Sequence, residues 1–275
     1  MIYYKTPEEI ELIRDCSLLL SKALAEAAKH LRPGVLPITL DRIAEEFIRD
    51  NGGEPAFKGY KNFPYTLCVS VNENVVHGFP TGRELREGDV VSLDSGVKKN
   101  GFFSDSAYTF MLGEVGEEAE RLVIASKEAL FIGIDKAVAG NRVGDISFAI
   151  QNYLERERNY HVVRELVGHG IGKSLHEDPE VPNYGRRGTG ALLREGLVIA
   201  IEPMVNIGTQ NVVQEDDGWT IRTKDKSLSA HFELMVAVRR NQPADFLSTF
   251  KFIEAEVAKN PNLKPVITQR EIMAN

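Results

Sequence analysis

The chain has little of what marks several classes of protein. Its two cysteines, Cys16 and Cys68, cannot build a disulfide framework, and neither lies in a C-x-x-C pair. No apolar run approaches the ~18 residues of a membrane-spanning helix. The start, Met1-Ile2-Tyr3-Tyr4-Lys5-Thr6-Pro7, lacks the basic and apolar regions of a signal peptide. Positive charge is also short: 33 basic against 40 acidic side chains leave a net charge of -7. Binding phosphate needs a basic surface, so neither a stable nucleic-acid complex nor a membrane partner is expected. What is left is a reduced, cytoplasmic protein of 275 residues, long enough to bury a full core without staples.

What the sequence does have is a repeat. Residues 85–94, LREGDVVSLD, return as 193–202, LREGLVIAIE, an offset of 108 (193 minus 85). Each copy follows a similar helical tract. The first runs from Pro7 to about His30 and continues in a segment with Leu40, Ile43 and Phe47; the second runs from about Gly116 to Ala139 and continues with Ile146, Ala149 and Tyr153. In each second segment the apolar residues fall at i, i+3 and i+7, one face of a helix. Asp41 and Asp145 lie near the starts of these segments, where a carboxylate suits a helix N-terminus. The offset is too long for a solenoid. An α/β chain of duplicated helix-helix-strand halves, about 1–115 and 116–240, is expected, with 241–275 as a C-terminal extension. In that extension Asp245 would cap a short helix to about Ala258, with Phe246, Leu247, Phe250 and Ile253 inward and a loose tail after Pro261 and Pro265.

The repeat aligns Asp94 with Glu202, each ending an apolar strand. After Asp94, Asn100-Gly101 between apolar stretches predicts a type I′ hairpin. Lys99 would then face Phe102 and Asp94 would face Ala107, which places Asp105 on the same face as Asp94, roughly 7–8 Å away at the backbone. Two like charges so close raise a pKa unless a cation lies between them. Taken alone, the pair also fits a surface hairpin with two solvated acids.

The second half carries G-H-G-I-G, in which Gly168, Gly170 and Gly172 would let the backbone turn tightly and present His169 without crowding. His176 follows seven residues later. Glu202 in I-A-I-E-P-M and Glu233 in F-E-L-M-V place two more acids in apolar strands, where a carboxylate is costly unless paired or metal-bound. Asp94, Asp105, Glu202 and Glu233 carry the charge that two divalent cations neutralise. An oxygen-rich set with one imidazole suits Mn, Fe, Co or Zn, the pattern of a dinuclear hydrolase.

In this order the motifs resemble those of the type I methionine aminopeptidases, which have the pita-bread fold, over about residues 3–240. The resemblance implies two halves around a central curved antiparallel sheet. It implies two divalent ions on Asp94, Asp105, His169, Glu202 and Glu233, with Asp105 and Glu233 bridging, and a bridging water or hydroxide that attacks the first peptide carbonyl. Glu202 would also act as general base, His176 would stabilise the oxyanion, and His77 would contact the substrate near the scissile bond. Tyr60, Phe63, Cys68 and Trp219 match positions lining the methionine pocket in relatives; without the resemblance, these aromatics read as ordinary core. Asn72 and Ser229 match positions that hold a structural monovalent cation.

Several residues depart from the family pattern. Leu175 stands where relatives often have Phe, and Phe57 where a smaller residue is common. Ser95-Gly96 and Leu234-Met235 replace the commoner Val-Thr and His-Thr, and His231 replaces a usual Gln. Strand alternation puts His231 on the face of Glu233, either as a hydrogen-bonded neighbour without metal contact or as a group that approaches the metals. The expected activity is removal of the initiator methionine from nascent chains with a small second residue, by a monomer in transient contact with the ribosome. The rivals are a proline-specific peptidase of the same fold, whose members usually carry a large N-terminal domain, and a catalytically silent binding module. Creatine amidinohydrolase shares the fold but lacks this ligand set.

Overall fold

The computed structural model describes residues 1–80 and 82–274; Asn275, the last residue of the expected C-terminal extension, lies outside them. The first half comprises α1 (Pro7–Lys29), α2 (Pro37–Asp50), β1 (Glu54–Pro55), β2 (Leu67–Val71), β3 (Asn74–Val76), β4 (Val90–Lys99) and β5 (Phe102–Leu112). The second comprises α3 (Glu117–Ile134), α4 (Val143–Gln151) with a π-helical continuation over Asn152–Glu157, then β6 (His161–Val162), β7 (Gly168–Gly170), β8 (Glu177–Val181), β9 (Val198–Ile201), β10 (Met204–Asn206), β11 (Val212–Gln214), β12 (Ile221–Thr223), β13 (Ser229–His231) and β14 (Leu234–Ala237). The chain closes with β15 (Asp245–Phe246), α5 (Lys251–Val257), β16 (Leu263–Lys264) and α6 (Gln269–Ala274).

Local chemistry sets the long helices. Thr6 Oγ1 accepts from the Glu9 N–H and the Glu9 carboxylate accepts from the Thr6 N–H, a capping box with Pro7 in the first turn. Helix α1 then buries Ile13, Leu20 and Leu24 against β4 and β5. Helix α2 is rotated from its expected face: Leu40, Ala44 and Ile48 are buried, while Ile43 and Phe47 are half-buried at the margin. Asp41 is buried too, and its carboxylate accepts from the Thr66 and Leu67 N–H groups at 2.8 Å each. It anchors the start of β2 and not its own helix. Asp145 does cap, accepting from the Arg142 N–H at 2.8 Å. Helix α3 stops at Ile134, short of the expected Ala139.

The β4–β5 hairpin has the expected register, with Asp94 opposite Ala107, Gly96 opposite Asp105 and Lys99 opposite Phe102. Both turn residues have positive φ, Asn100 at 53° and Gly101 at 81°, as a type I′ turn requires. This hairpin belongs to a five-stranded antiparallel sheet with β1, β2 and β16; a second five-stranded sheet runs β15-β14-β9-β7-β8. The two meet where the Glu233 N–H donates to Ala107 O at 2.9 Å, so the halves form one curled surface. The repeat is visible in the backbone. Gly88 (φ 88°) and Gly196 (φ 86°) turn the chain into β4 and β9, and donate to Leu112 O and Val238 O respectively.

The C-terminal residues differ from expectation. Asp245 is in β15, paired with β14, and its carboxylate binds Arg14 and Arg239 at 2.8 and 2.9 Å; it caps nothing. Leu247, Phe250 and Ile253 are buried as expected, but Phe246 is 41% exposed. The segment after Pro261 is held down. Strand β16 pairs with β5, and Lys127 of α3, 1% exposed, contacts Glu254 at 2.6 Å and Glu271 at 2.9 Å and donates to Val266 O. Among the described residues no helix is long and apolar enough to cross a membrane.

Candidate metal centre

Each half of the repeat contributes acids to one place. Hairpin β4–β5 supplies Asp94 and Asp105; the end of β9 supplies Glu202, and the link between β13 and β14 supplies Glu233. Donor atoms of Asp105, His169 and Glu233 lie within 4.8 Å of one another. His169 Nε2 is 3.8 Å from Asp105 Oδ2 and 3.7 Å from Glu202 Oε1. Its Nδ1–H donates to Gly170 O at 2.9 Å, which leaves the Nε2 lone pair facing the acids.

The electrostatics call for a cation. Among the described residues no lysine or arginine pairs with any of the four carboxylates. Asp94 Oδ1, Asp105 Oδ1 and Glu233 Oε1 are buried without a hydrogen-bond partner, an arrangement that is costly by itself. Burial, with the charge of Glu202, pushes Asp94 up to about 7. Burial pushes Glu202 to about 8. Burial and the neighbouring acids drive Asp105 and Glu233 well above the carboxylate range. Burial lowers His169 to about 4, so its imidazole is neutral and able to ligate. Oxygen donors left orphaned around one free imidazole nitrogen fit a site for hard or borderline divalent ions.

The same residues line a cavity of ≈ 180 Å³. Its apolar wall is Phe57, Tyr60, Phe63, Cys68, Leu175 and Trp219, all of the pocket residues expected from the sequence. Phe63 stacks edge-on against Trp219 (5.1 Å between centroids) and Phe57 (6.4 Å). Phe57 lies over Gly96, where a β-carbon would come within 2.8 Å of its ring. Burial holds the Cys68 thiol protonated. His176, exposed at the mouth, lies 4.2 Å from His169 between ring centroids, and its Nδ1 is 2.9 Å from the Tyr60 hydroxyl. His77 meets Trp219 edge-on at 6.0 Å, and burial lowers it to about 4.

Three findings go beyond the sequence reading. Gly168 and Gly170 lie in β7 and make no turn, Gly172 opens the bent segment that follows, and none of the three has positive φ. Their role is close packing, since a β-carbon at Gly170 would sit 2.2 Å from Asp178 O and one at Gly168 would sit 2.5 Å from Ala200 O. Lys61 lines the cavity and was not foreseen; it follows Gly59 in a turn where Lys61 and Asn62 both have positive φ. Tyr65 and Phe79 extend the aromatic wall, packing on each other at 5.1 Å and on Phe63. Their place beside Phe63 and His77 in sequence is a signal that would have found them.

His231 is 2% exposed and its Nε2 is 3.6 Å from Glu202 Oε2. Asn72 and Ser229 are joined through the Ser229 N–H and Asn72 O, 2.9 Å. The Asn72 side chain donates to Asp89 and accepts from the Val90 N–H, and Ser229 Oγ donates to Val205 O.

Comparison with known proteins agrees with this geometry. The model of metallopeptidase family M24 matches residues 11–240. A methionine aminopeptidase of Clostridium perfringens is 51% identical over 243 residues, 88% of this chain and 97% of its own length. The crystal structure of the methionine aminopeptidase from Thermotoga maritima superposes with a TM-score of 0.88 at 42% identity, covering 90% of this chain and all of that one. The prolidase of Pyrococcus furiosus shares the fold at a TM-score of 0.73, but at 24% identity, and only 65% of its chain is covered.

Proposed function

The chain belongs to metallopeptidase family M24, and we infer that it is a metal-dependent aminopeptidase that removes methionine from the N-terminus of a peptide. The observation that carries this reading is one cavity whose lining holds both the buried acids with His169 and a set of aromatic rings with Cys68 and Leu175. A thioether side chain suits rings and a thiol, and it would put the first peptide bond against the acids.

Asp94, Asp105, His169, Glu202 and Glu233 would hold two divalent ions, of the class Mn, Fe, Co or Zn. When bound, such ions polarise a carbonyl and lower the pKa of water toward neutrality. Glu202 would take up a proton from the attacking water and return it to the leaving amine. His176, at the cavity mouth with Nδ1 engaged by Tyr60, is placed to hydrogen-bond the scissile carbonyl oxygen with its other nitrogen. His77, neutral and backed by Trp219, contacts the substrate backbone. A cavity of ≈ 180 Å³ has room for one side chain beside the acids, and the residue that follows it is proposed to be small. Asn72 and Ser229, joined by the bond from the Ser229 N–H to Asn72 O, would lie beside a monovalent cation. The substrate places the enzyme in the cytoplasm, acting as a monomer on nascent chains in transient contact with the ribosome.

The test is release of free amino acid from peptides varied at the first residue (Met, Leu, Ala) and the second (Ala, Gly, Pro, Leu), after chelation and return of each metal. Metal-dependent release of Met ahead of a small residue is expected. Release only ahead of Pro would move the chain to the prolidase activity, and no release with any metal would leave a binding module.

A further inference from the structure

The imidazole of His231 has no assigned partner, although the chain holds it rigidly. The main-chain N–H of His231 donates to Thr109 Oγ1 at 3.0 Å, and the Thr109 hydroxyl donates to the main-chain His231 O at 2.6 Å. The residue sits opposite Met204 in the β13–β10 pair. These bonds fix the backbone and leave the ring, at 2% exposure, with neither nitrogen hydrogen-bonded. A buried ring has at least one N–H to satisfy, and an unsatisfied buried donor costs stability. The nearby acceptor is Glu202 Oε2, 3.6 Å from Nε2. Glu202 therefore lies between two imidazoles: His169 is 3.7 Å from Oε1 and His231 is 3.6 Å from Oε2. The two rings differ in one respect. His169 has given its Nδ1 proton to Gly170 O and faces the acid with a lone pair, whereas the proton of His231 is uncommitted.

We propose that His231 is a positioning residue for Glu202: its Nε2–H donates to Oε2 and so fixes which oxygen is presented on the His169 side. At 3.6 Å the separation is too long for a hydrogen bond as it stands, and a small rotation of either side chain would close it. Groups that orient a metal-ligating carboxylate are typically worth 10–100-fold in metal affinity or activity. The proposal rests on Glu202 being a ligand and proton carrier, as read above.

Two variants test it. His231→Leu keeps roughly the volume and removes the donor, and His231→Gln restores a donor of similar reach. Calorimetric titration of Mn or Co into the chelated full-length protein reads the metal site without any substrate. The Leu variant is expected to bind 10–100-fold more weakly and to lose kcat with little change in KM, while Gln recovers most of both. The chelated Leu variant is expected to melt at or above the parent, because an unpartnered buried imidazole has been replaced by an apolar group. Unchanged metal affinity in the Leu variant would overturn the proposal. So would a Gln variant as weak as Leu, or a sharp fall in the melting point of the chelated Leu variant, which would mark a packing role. Failure of the parent to release Met would count against the proposed function and leave the metal titration a valid test of His231.

Discussion

The four carboxylates of Asp94, Asp105, Glu202 and Glu233 and the cluster around Lys127 are both sets of ionisable groups withdrawn from water, yet they are built in opposite ways. At Lys127 the charges close within the chain: one ammonium, 1% exposed, meets Glu254 and Glu271 and the carbonyl of Val266. Its product is mechanical, tying the C-terminal segment to α3. Around Glu233 the charges have one sign, their inward oxygens lack partners, and the nearest cationic candidates are imidazoles that burial keeps neutral. One cluster is complete as translated. The other is complete only with something from solution, and that incompleteness is what makes it a site.

The largest expected effect comes from changing the incomplete cluster. Asp105→Asn should abolish Met release and metal uptake, yet the chelated protein should melt no lower than the parent, because a buried carboxyl that must take up a proton is replaced by a neutral amide. A lower melting point with activity retained would break the comparison.

Next is pH. The native pKa values of Asp94 (about 7) and Glu202 (about 8) lie above their ordinary values of 3.8 and 4.5, so the chelated native state holds protons that the unfolded chain has released. Between about 4 and 6.5 the lowered pKa values of His77 and His169, about 4 each, oppose this effect, so stability falls most clearly as pH rises from about 6.5 to about 8. Melting curves of chelated protein across that range check the sign. Added Mn or Co should raise the midpoint more at pH 8 than at pH 5, since ligands must lose protons to bind. Asp105→Asn should flatten the slope.

The smallest effect belongs to the complete cluster. Lys127→Met should destabilise by roughly 2–3 kcal/mol, below the range for a fully buried pair because the two glutamates are about a third exposed and can hydrate. Denaturant unfolding measures it, and Met release per folded molecule should be unchanged.

Much of the site was legible because strand faces follow a period of two once a single turn is known. Asn100-Gly101 fixed the register, and the register put Asp94 and Asp105 on one side. The repeat added Glu202 by alignment with Asp94. Helix faces were less readable: Leu40 belongs to both candidate stripes of α2, and only packing selects Ala44 and Ile48 over Ile43 and Phe47. Contacts remote in sequence were not readable at all. Asp41 looks like a helix-start acid until Thr66 and Leu67 arrive to donate to it, and Asp245 looks like a cap until Arg14 and Arg239 claim it. The glycines around His169 were rightly singled out, but the reason is strand packing against Ala200 and Asp178 and not turning.

The contact between Phe57 and Gly96 has a consequence for how this pocket can change over generations. A β-carbon at 96 would come 2.8 Å from Phe57 Cε1, closer than real atoms approach, and 3.0 Å from Ala56 Cβ, a tight contact, so a side chain there displaces the ring. Positions 57 and 96 are therefore one inherited trait written in two codons. A lineage that shrinks residue 57 first can later accept a larger residue at 96, whereas the reverse order passes through a jammed pocket.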